Sequence, residues 1–336
     1  MKAIIRFILC AILLLPTSAC HDIEEFDNTA SGNFDALWTL VDQHYCFFRE
    51  KGIDWDSMYN VYRPQALNCT TSRQLFDVCA RMLDELHDGH VNLASSFNTS
   101  YYRKWWTDYP QNYDARIVEQ NYLNFNWKTA GALQYAILPQ RVGYIRYSSF
   151  SSPIGEGNLD AVISDFALCH GIIIDIRDNG GGDMTNVERL VRRFISHRIL
   201  AGYISHKTGP GHNDFSKPYA YYYSPIQGHL IWSREVAVLT NRSTFSAANN
   251  FASVMKSLPQ VTIVGATTGG GSGMPLSSEL PIGWSLRMSA CSILDPEGLS
   301  TENGVTPSQG HAIDITPADI AAGRDPIIDH AVAFLQ

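Results

Sequence analysis

The sequence predicts an α/β protein, α+β overall, with a small helical N-terminal domain followed by a larger αβ domain of repeated β-α-β units. Three observations predict it. Apolar residues recur at three- and four-residue spacing between Phe34 and Leu93, the period of an amphipathic helix. Short apolar runs alternate with helical patterns from Val142 onward. Across 336 residues, 45% hydrophobic content against 17% charged is a globular composition with enough chain for a large core.

In the first region (residues 33–93), Leu37, Leu40, Val41 and Tyr45 share one helical face, and Leu75, Val78, Cys79, Met82, Leu83 and Leu86 share another. The segment Trp55–Tyr62 reads as a shorter helix between them, and Gly89 is expected to stop the last helix as a C-terminal glycine. Residues 94–140 are aromatic and irregular, with Tyr101, Tyr102, Trp105, Trp106, Tyr109, Tyr113 and Trp127 among polar neighbours. Short antiparallel strands and loops are expected there, with the rings forming a small β core rather than a displayed binding face.

From 141 to 336, strands are predicted at Val142–Phe150, Gly171–Ile176, Val236–Thr240 and Val261–Val264, alternating with helices at Asn158–Ala167, Asn186–Ser196 and Ser246–Leu258. Nearly continuous apolar strands joined by helices imply parallel pairing. An antiparallel hairpin over Ile282–Ile293 and a closing helix over Pro326–Leu335 complete the region.

The N-terminus carries Lys2 and Arg6, an apolar run from Phe7 to Leu15, then Pro16 and the small residues Thr17-Ser18-Ala19 before Cys20. This is the pattern of a secretory signal over residues 1–19. A Cys after such residues resembles a bacterial lipobox, which implies acylation of Cys20 and a tether over residues 20–32. An exported lipoprotein of the outer membrane is therefore expected, with periplasmic face and cell surface both open. With 25 Lys plus Arg against 33 Asp plus Glu, the net charge of −8 excludes the basic face of a nucleic-acid binder. Removing Cys10 and Cys20 leaves Cys46, Cys69, Cys79, Cys169 and Cys291, an odd set without a CxxC pair. A zinc ribbon is excluded, and two disulfides are the maximum.

Absent motifs prune the chemistry. The run Gly269-Gly270-Gly271-Ser272-Gly273 lacks the Lys of a phosphate loop, and neither GxGxxG nor HExxH occurs. His87 and His90 lack a third ligand, so no metal is expected, and Ser272 lacks the flanking glycines of an α/β-hydrolase elbow. Three segments remain. Leu86-His87-Asp88-Gly89-His90 leaves an imidazole at a turn after a helix. Asp175-Ile176-Arg177-Asp178-Asn179-Gly180-Gly181-Gly182 is a strand opening into glycines whose N–H groups can face an oxyanion or simply form a tight turn. In Leu239-Thr240-Asn241-Arg242-Ser243-Thr244-Phe245-Ser246-Ala247-Ala248-Asn249 a serine opens a helix, where Ser is also a preferred N-cap.

In this order, and with Gly265–Gly271, Glu302-Asn303-Gly304-Val305-Thr306-Pro307 and Pro317–Pro326 behind them, these segments resemble the tail-specific, C-terminal processing peptidases and the tricorn protease core. The likeness spans roughly residues 34–93 and 141–335. It implies a ClpP/crotonase-like αβ catalytic domain, a serine peptidase without cofactor, and protein or peptide substrates. It further implies Ser246 as nucleophile, His90 as general base, Glu302 as supporting carboxylate, and an oxyanion hole from the N–H of Gly181 or its neighbour Gly182 with that of Ala247. The processing branch uses a Lys where this chain has Gly271, so the tricorn-like branch is implied; that branch has a Ser before its His, here Gly89, which leaves a fourth catalytic member open. The segment between His90 and Val142 is too short for a full PDZ domain. Substrate recognition is then expected from the aromatic segment or from Arg103, Lys104 or Arg242. The alternative on the same fold is a catalytically silent peptide- or small-ligand-binding lipoprotein.

Overall fold

The computed structural model describes residues 25–336, so the signal segment, Cys10 and Cys20 lie outside the described residues. Four helices come first: α1 (Ala30–His44), the short α2 (Phe48–Lys51), α3 (Trp55–Leu67) and α4 (Ser72–Asp84). Their starts are capped by side chains. Thr29 accepts from the Gly32 N–H, Asp54 from Ser57, and Thr71 with Gln74 forms a reciprocal capping box. The apolar stripes close on one another through Phe34, Leu37, Val41, Cys79 and Met82, but also on Leu286 and Met288 from near the far end of the chain. The helices thus share their core with a sheet.

Gly89 does not stop α4. The helix ends at Asp84, and the residue with positive φ in the turn is His87 (φ 47°). Glycine is required at 89 for a different reason: a Cβ there would lie 2.5 Å from Trp105 Nε1 and 3.0 Å from the Phe245 ring.

The middle segment holds β1 (Asn92–Ala94), β2 (Thr99–Tyr101), α5 (Lys104–Thr107), α6 (Ala115–Ile117), a wide helical turn at Val118–Tyr122, and the strands β3 (Lys128–Ala130) and β4 (Leu133–Ile137). Its aromatic residues do not form the expected β core. Tyr101, Trp106 and Tyr109 are exposed and α5 buries nothing, because the three-residue strands are too short to cover a core of their own. Trp105 instead lies flat on Phe245, with ring centroids 4.2 Å apart.

The remaining elements are β5 (Gly143–Arg146), α7 (Glu156–Asp165), β6 (Ile172–Asp175), α8 (Met184–Val191), β7 (Ile199–His206), β8 (Tyr219–Tyr223), β9 (Val236–Thr240), α9 (Ala247–Lys256), β10 (Val261–Gly265), β11 (Gly273–Glu279), β12 (Ser285–Leu294), α10 (Pro317–Ala321) and α11 (Pro326–Phe334). One six-stranded sheet has the order β10-β9-β6-β5-β4-β3, parallel from β5 through β10 and antiparallel at β3 and β4. Ile172, Ile173 and Ile174 are fully buried, since α8 and α9 cover one face through Val187, Leu190 and Phe251 while α11 covers the other through Ile327, Ile328 and Ala331. Burial on both faces is why these strands read as continuous apolar runs. The loops leaving adjacent strands β6 and β9 emerge at the carboxyl edge of the sheet, where open α/β sheets place their sites.

A second, antiparallel sheet runs β2-β1-β12-β7-β8, with β11 also paired to β12. Two differences from expectation fall here. The hairpin is built from β11 and β12, and Ile282 sits in its turn rather than in a strand; the polar run with Pro275 in β11 carries no apolar signal. The strands β7 and β8 had no readable pattern: a bulge between Leu200 and Gly202 breaks the alternation, and Tyr-Ala-Tyr-Tyr-Tyr has none.

At the end of β6, fully buried Arg177 donates to both oxygens of Asp175 (2.9 and 2.6 Å) and to Asp325 Oδ2 (2.8 Å), which also caps α11. Removing the cation strands two buried carboxylates. Arg177→Met is expected to lose about 3–5 kcal/mol of unfolding free energy in urea melts; a loss under about 1 kcal/mol contradicts this reading.

Candidate active site

The loop after β9 turns sharply at Ser246, which sits at φ 58° and ψ −122° immediately before α9. A non-glycine residue in such a region costs on the order of 1–3 kcal/mol and persists only when its surroundings hold it. Here the Phe245 N–H donates to Asn179 O (3.0 Å), the Ser246 N–H to Gly270 O (2.9 Å), and Ser246 O accepts from Asn250 (2.9 Å). Ser246 does not act as a helix cap, because its side chain makes no bond to the first turn. Its Oγ lies instead 2.9 Å from His90 Nε2.

His90 comes from the turn after α4 and is 2% exposed. Its N–H donates to Asp88 Oδ1 (2.8 Å), whose other oxygen accepts from Tyr45 (3.0 Å), and its ring packs on Phe245 at 4.7 Å. Burial pushes the His90 pKa down to about 4; the charge of Asp88 opposes this, and those of Arg287 and Lys51 add to it. The imidazole is therefore neutral near pH 7, the form that accepts a proton. Nδ1 has no hydrogen-bond partner among the described residues.

Glu302 does not fill that vacant position. Its Oε2 accepts from the Ser272 N–H (2.8 Å), and its Oε1 pairs with Lys51 Nζ (2.9 Å). Glu302, expected as a supporting carboxylate, lies in the site and is bound to these two partners, not to the imidazole. Burial, together with the nearby charge of Asp88, pushes its carboxyl up to about 7 against the opposing pull of Lys51. Lys51 Nζ also donates to His87 O (3.0 Å) and stands 4.0 Å from Asp88. Sequence reasoning missed Lys51, which sits in a four-residue helix and belongs to no motif.

The glycine loop divides its labour differently from the expectation that put Gly181 first. The Gly181 N–H already donates to Asn179 Oδ1 (3.0 Å). A Cβ on Gly181 would lie 2.7 Å from Ser246 Cβ and 2.8 Å from Ala247 N, so this glycine permits the close approach of the two loops. The N–H groups of Gly182 and Ala247 have no acceptor among the described residues, and both residues border the same cavity as Ser246. Asn179, which also donates to Tyr147 O (2.8 Å), is the scaffold of this loop and was legible only as a residue beside glycines.

Gly271, where a base Lys stands in the processing branch, has φ 76°, and a Cβ there would lie 2.4 Å from the Phe245 ring. The basic residues singled out for recognition are engaged elsewhere. Arg242 holds Trp105 O and Thr268 O and stacks on Tyr109, while Arg103 bonds Tyr101. Neither they nor Lys104 borders the cavity of about 100 Å³ beside Ser246; the charged side chain lining it is Arg287. His87 packs on Tyr102, and no group of three or more His, Cys, Asp or Glu side chains suited to a metal occurs among the described residues.

The model of peptidase family S41 matches residues 141–309, and that of the tricorn protease C1 domain matches residues 26–84. A candidate peptidase from Parabacteroides merdae ATCC 43184 is 47% identical, with 92% of this chain and 97% of that one covered and a TM-score of 0.87. Mature CPAF complexed with lactacystin is 13% identical over 91% of this chain and 98% of that one, with a TM-score of 0.69. The photosystem II D1 C-terminal processing protease is 16% identical over 88% and 96%, with a TM-score of 0.54; both share the fold.

The burial of His90 makes a checkable claim about its charge. Because the folded-state pKa is lowered to about 4, the ring is expected to stay neutral as pH falls through 6.5 and to protonate only near 4. ¹⁵N NMR of the imidazole across that range reads this directly, and a midpoint between 6 and 7 contradicts it.

Proposed function

The chain belongs to peptidase family S41 and is a serine-type peptidase, and we propose that it cleaves peptide bonds through an acyl-enzyme on Ser246. The observation that carries this reading is the 2.9 Å approach of His90 Nε2 to Ser246 Oγ. A serine hydroxyl is a weak nucleophile until a neighbouring base takes its proton, and a neutral buried imidazole at hydrogen-bond distance supplies that base. As Oγ attacks the substrate carbonyl carbon, His90 takes the hydroxyl proton. The oxyanion accepts from the N–H groups of Ala247 and Gly182, donors of a kind worth about 10²–10³ each in turnover. His90 then protonates the leaving amine, which departs. Water attacks the ester, giving its proton to His90; the ester C–O bond breaks, the acid leaves, and His90 returns the proton to Ser246 Oγ.

Asp88 favours the imidazolium formed along the way, since its charge acts in the direction of protonation. Glu302 acts as a positioning residue: through Ser272 and Lys51 it fastens the glycine-rich loop to the helical region that carries His90. We further propose that residues 1–19 direct export and that Cys20 carries a lipid anchor holding the enzyme at the outer membrane. A lipobox-like Thr17-Ser18-Ala19-Cys20 and the acidic residues behind it support this. Among the described residues, no helix is long and apolar enough to cross a membrane.

A fluorophosphonate probe tests the catalytic assignment. The wild type is expected to label on Ser246, with labelling and peptide hydrolysis lost by at least about 10³-fold in Ser246→Ala and His90→Ala, each checked for folding by circular dichroism. Absence of label on folded wild type favours the silent binding protein instead.

A further inference from the structure

The cavity beside Ser246 is lined by apolar and neutral polar groups, among them Met184, Met274, Ile293 and Asn250, together with one ionic side chain, Arg287. No carboxylate lines it. Arg287 lies in β12 between Asn92 of β1 and Ser277 of β11, neither of which offers it a charge. Its guanidinium is partly buried, its nitrogens remain open to solvent, and it has no ion pair or hydrogen bond to any described residue. The arginines with which it can be compared are all engaged: Arg177 holds two aspartates, Arg193 holds Glu156 and Asp160, and Arg242 holds two carbonyls.

A guanidinium that faces the cavity without a protein partner is free to meet an anion there, and its five donors suit a carboxylate held two-pronged. The nearby carboxylate of Asp88 makes no bond to Arg287; its oxygens accept from the Tyr45 hydroxyl and the His90 backbone N–H. Burial lowers the pKa of Arg287 and Asp88 opposes that, which agrees with a cation whose compensation is incomplete. Asn250, also on the cavity wall, is held by its donation to Tyr221 OH (3.0 Å). The volume of about 100 Å³ accommodates one side chain of the size of Glu.

We infer that this cavity is a substrate subsite for a carboxylate, held by Arg287, so that the enzyme cleaves next to an acidic residue or next to a free chain terminus. The inference rests on Ser246 being the nucleophile and adds the substrate class. The two sources of the carboxylate share one chemistry and are separated by the experiment.

Hydrolysis is measured with internally quenched peptides blocked at both ends that carry Glu or Gln on either side of the scissile bond, and with a matched pair ending in a free acid or an amide. Wild type is expected to prefer the carboxylate by about tenfold or more in kcat/KM in one of these pairs, the range of a charge-assisted hydrogen bond. A preference in the Glu/Gln pair identifies a side chain, and a preference in the acid/amide pair identifies the terminus. Arg287→Gln is expected to bring the ratio to near one, Arg287→Lys to keep part of it, and Arg287→Glu to favour Lys at that position. Equal rates in every wild-type pair, or a ratio that persists in Arg287→Gln, overturn the subsite. Fluorophosphonate labelling of wild type separates the two levels: label on Ser246 without a carboxylate preference sinks the subsite alone, whereas no label removes the nucleophile on which it stands.

Discussion

The contact between His90 Nε2 and Ser246 Oγ joins side chains 156 positions apart in sequence, and most of the fold can be understood as what keeps them in reach. His90 leads directly into β1, whose residues pair with Ser285–Arg287 of β12. β12 pairs in turn with β11, which begins at Gly273 beside the glycine loop that accepts the Ser246 N–H. The imidazole is therefore tied to the serine by a closed circuit of backbone hydrogen bonds. Rigid elements hold a catalytic geometry more tightly than free loops do. Phe245 fills the space inside this circuit, touching the His90 ring on one side and Trp105 on the other.

Energy is concentrated where that circuit meets the chemistry. The positive φ of Ser246, the desolvated imidazole and the buried Lys51–Glu302 pair all work against stability or add little to it. The parallel sheet, buried on both faces, and the Asp175–Arg177–Asp325 cluster supply the rigidity that tolerates them. Glycine at 89, 181 and 271 serves close approach: in each case a Cβ would strike Phe245, Trp105, the Ser246 side chain or the Ala247 backbone.

The parallel strands were legible because burial on both faces leaves an uninterrupted apolar run, as in Gly171–Ile176. The helices of the first region were legible from their periodicity, although the end of α4 was not, since the turn uses His87 and not a glycine in the left-handed region. Ser246 and His90 could be singled out only because their segments, taken together and in order, resemble those of the tail-specific peptidases. What escaped was decided by contacts at long range. Lys51 and Arg287 belong to no local pattern and Asn179 shows only as a residue beside glycines; they acquire meaning when Glu302, the cavity and Gly181 stand beside them. For the same reason sequence could not tell Gly181 from Gly182, or name Ser272 and Lys51 as the partners of Glu302.

The proposed mechanism requires Ser246 to form a covalent ester with the acyl half of its substrate. Rapid acid quenching of wild type with an activated ester, followed by intact-mass measurement and peptide mapping, reads that step directly. An acyl mass on the peptide containing Ser246 that forms and decays during turnover is the predicted result. Turnover without an adduct, or an adduct on another residue such as Ser272, contradicts it.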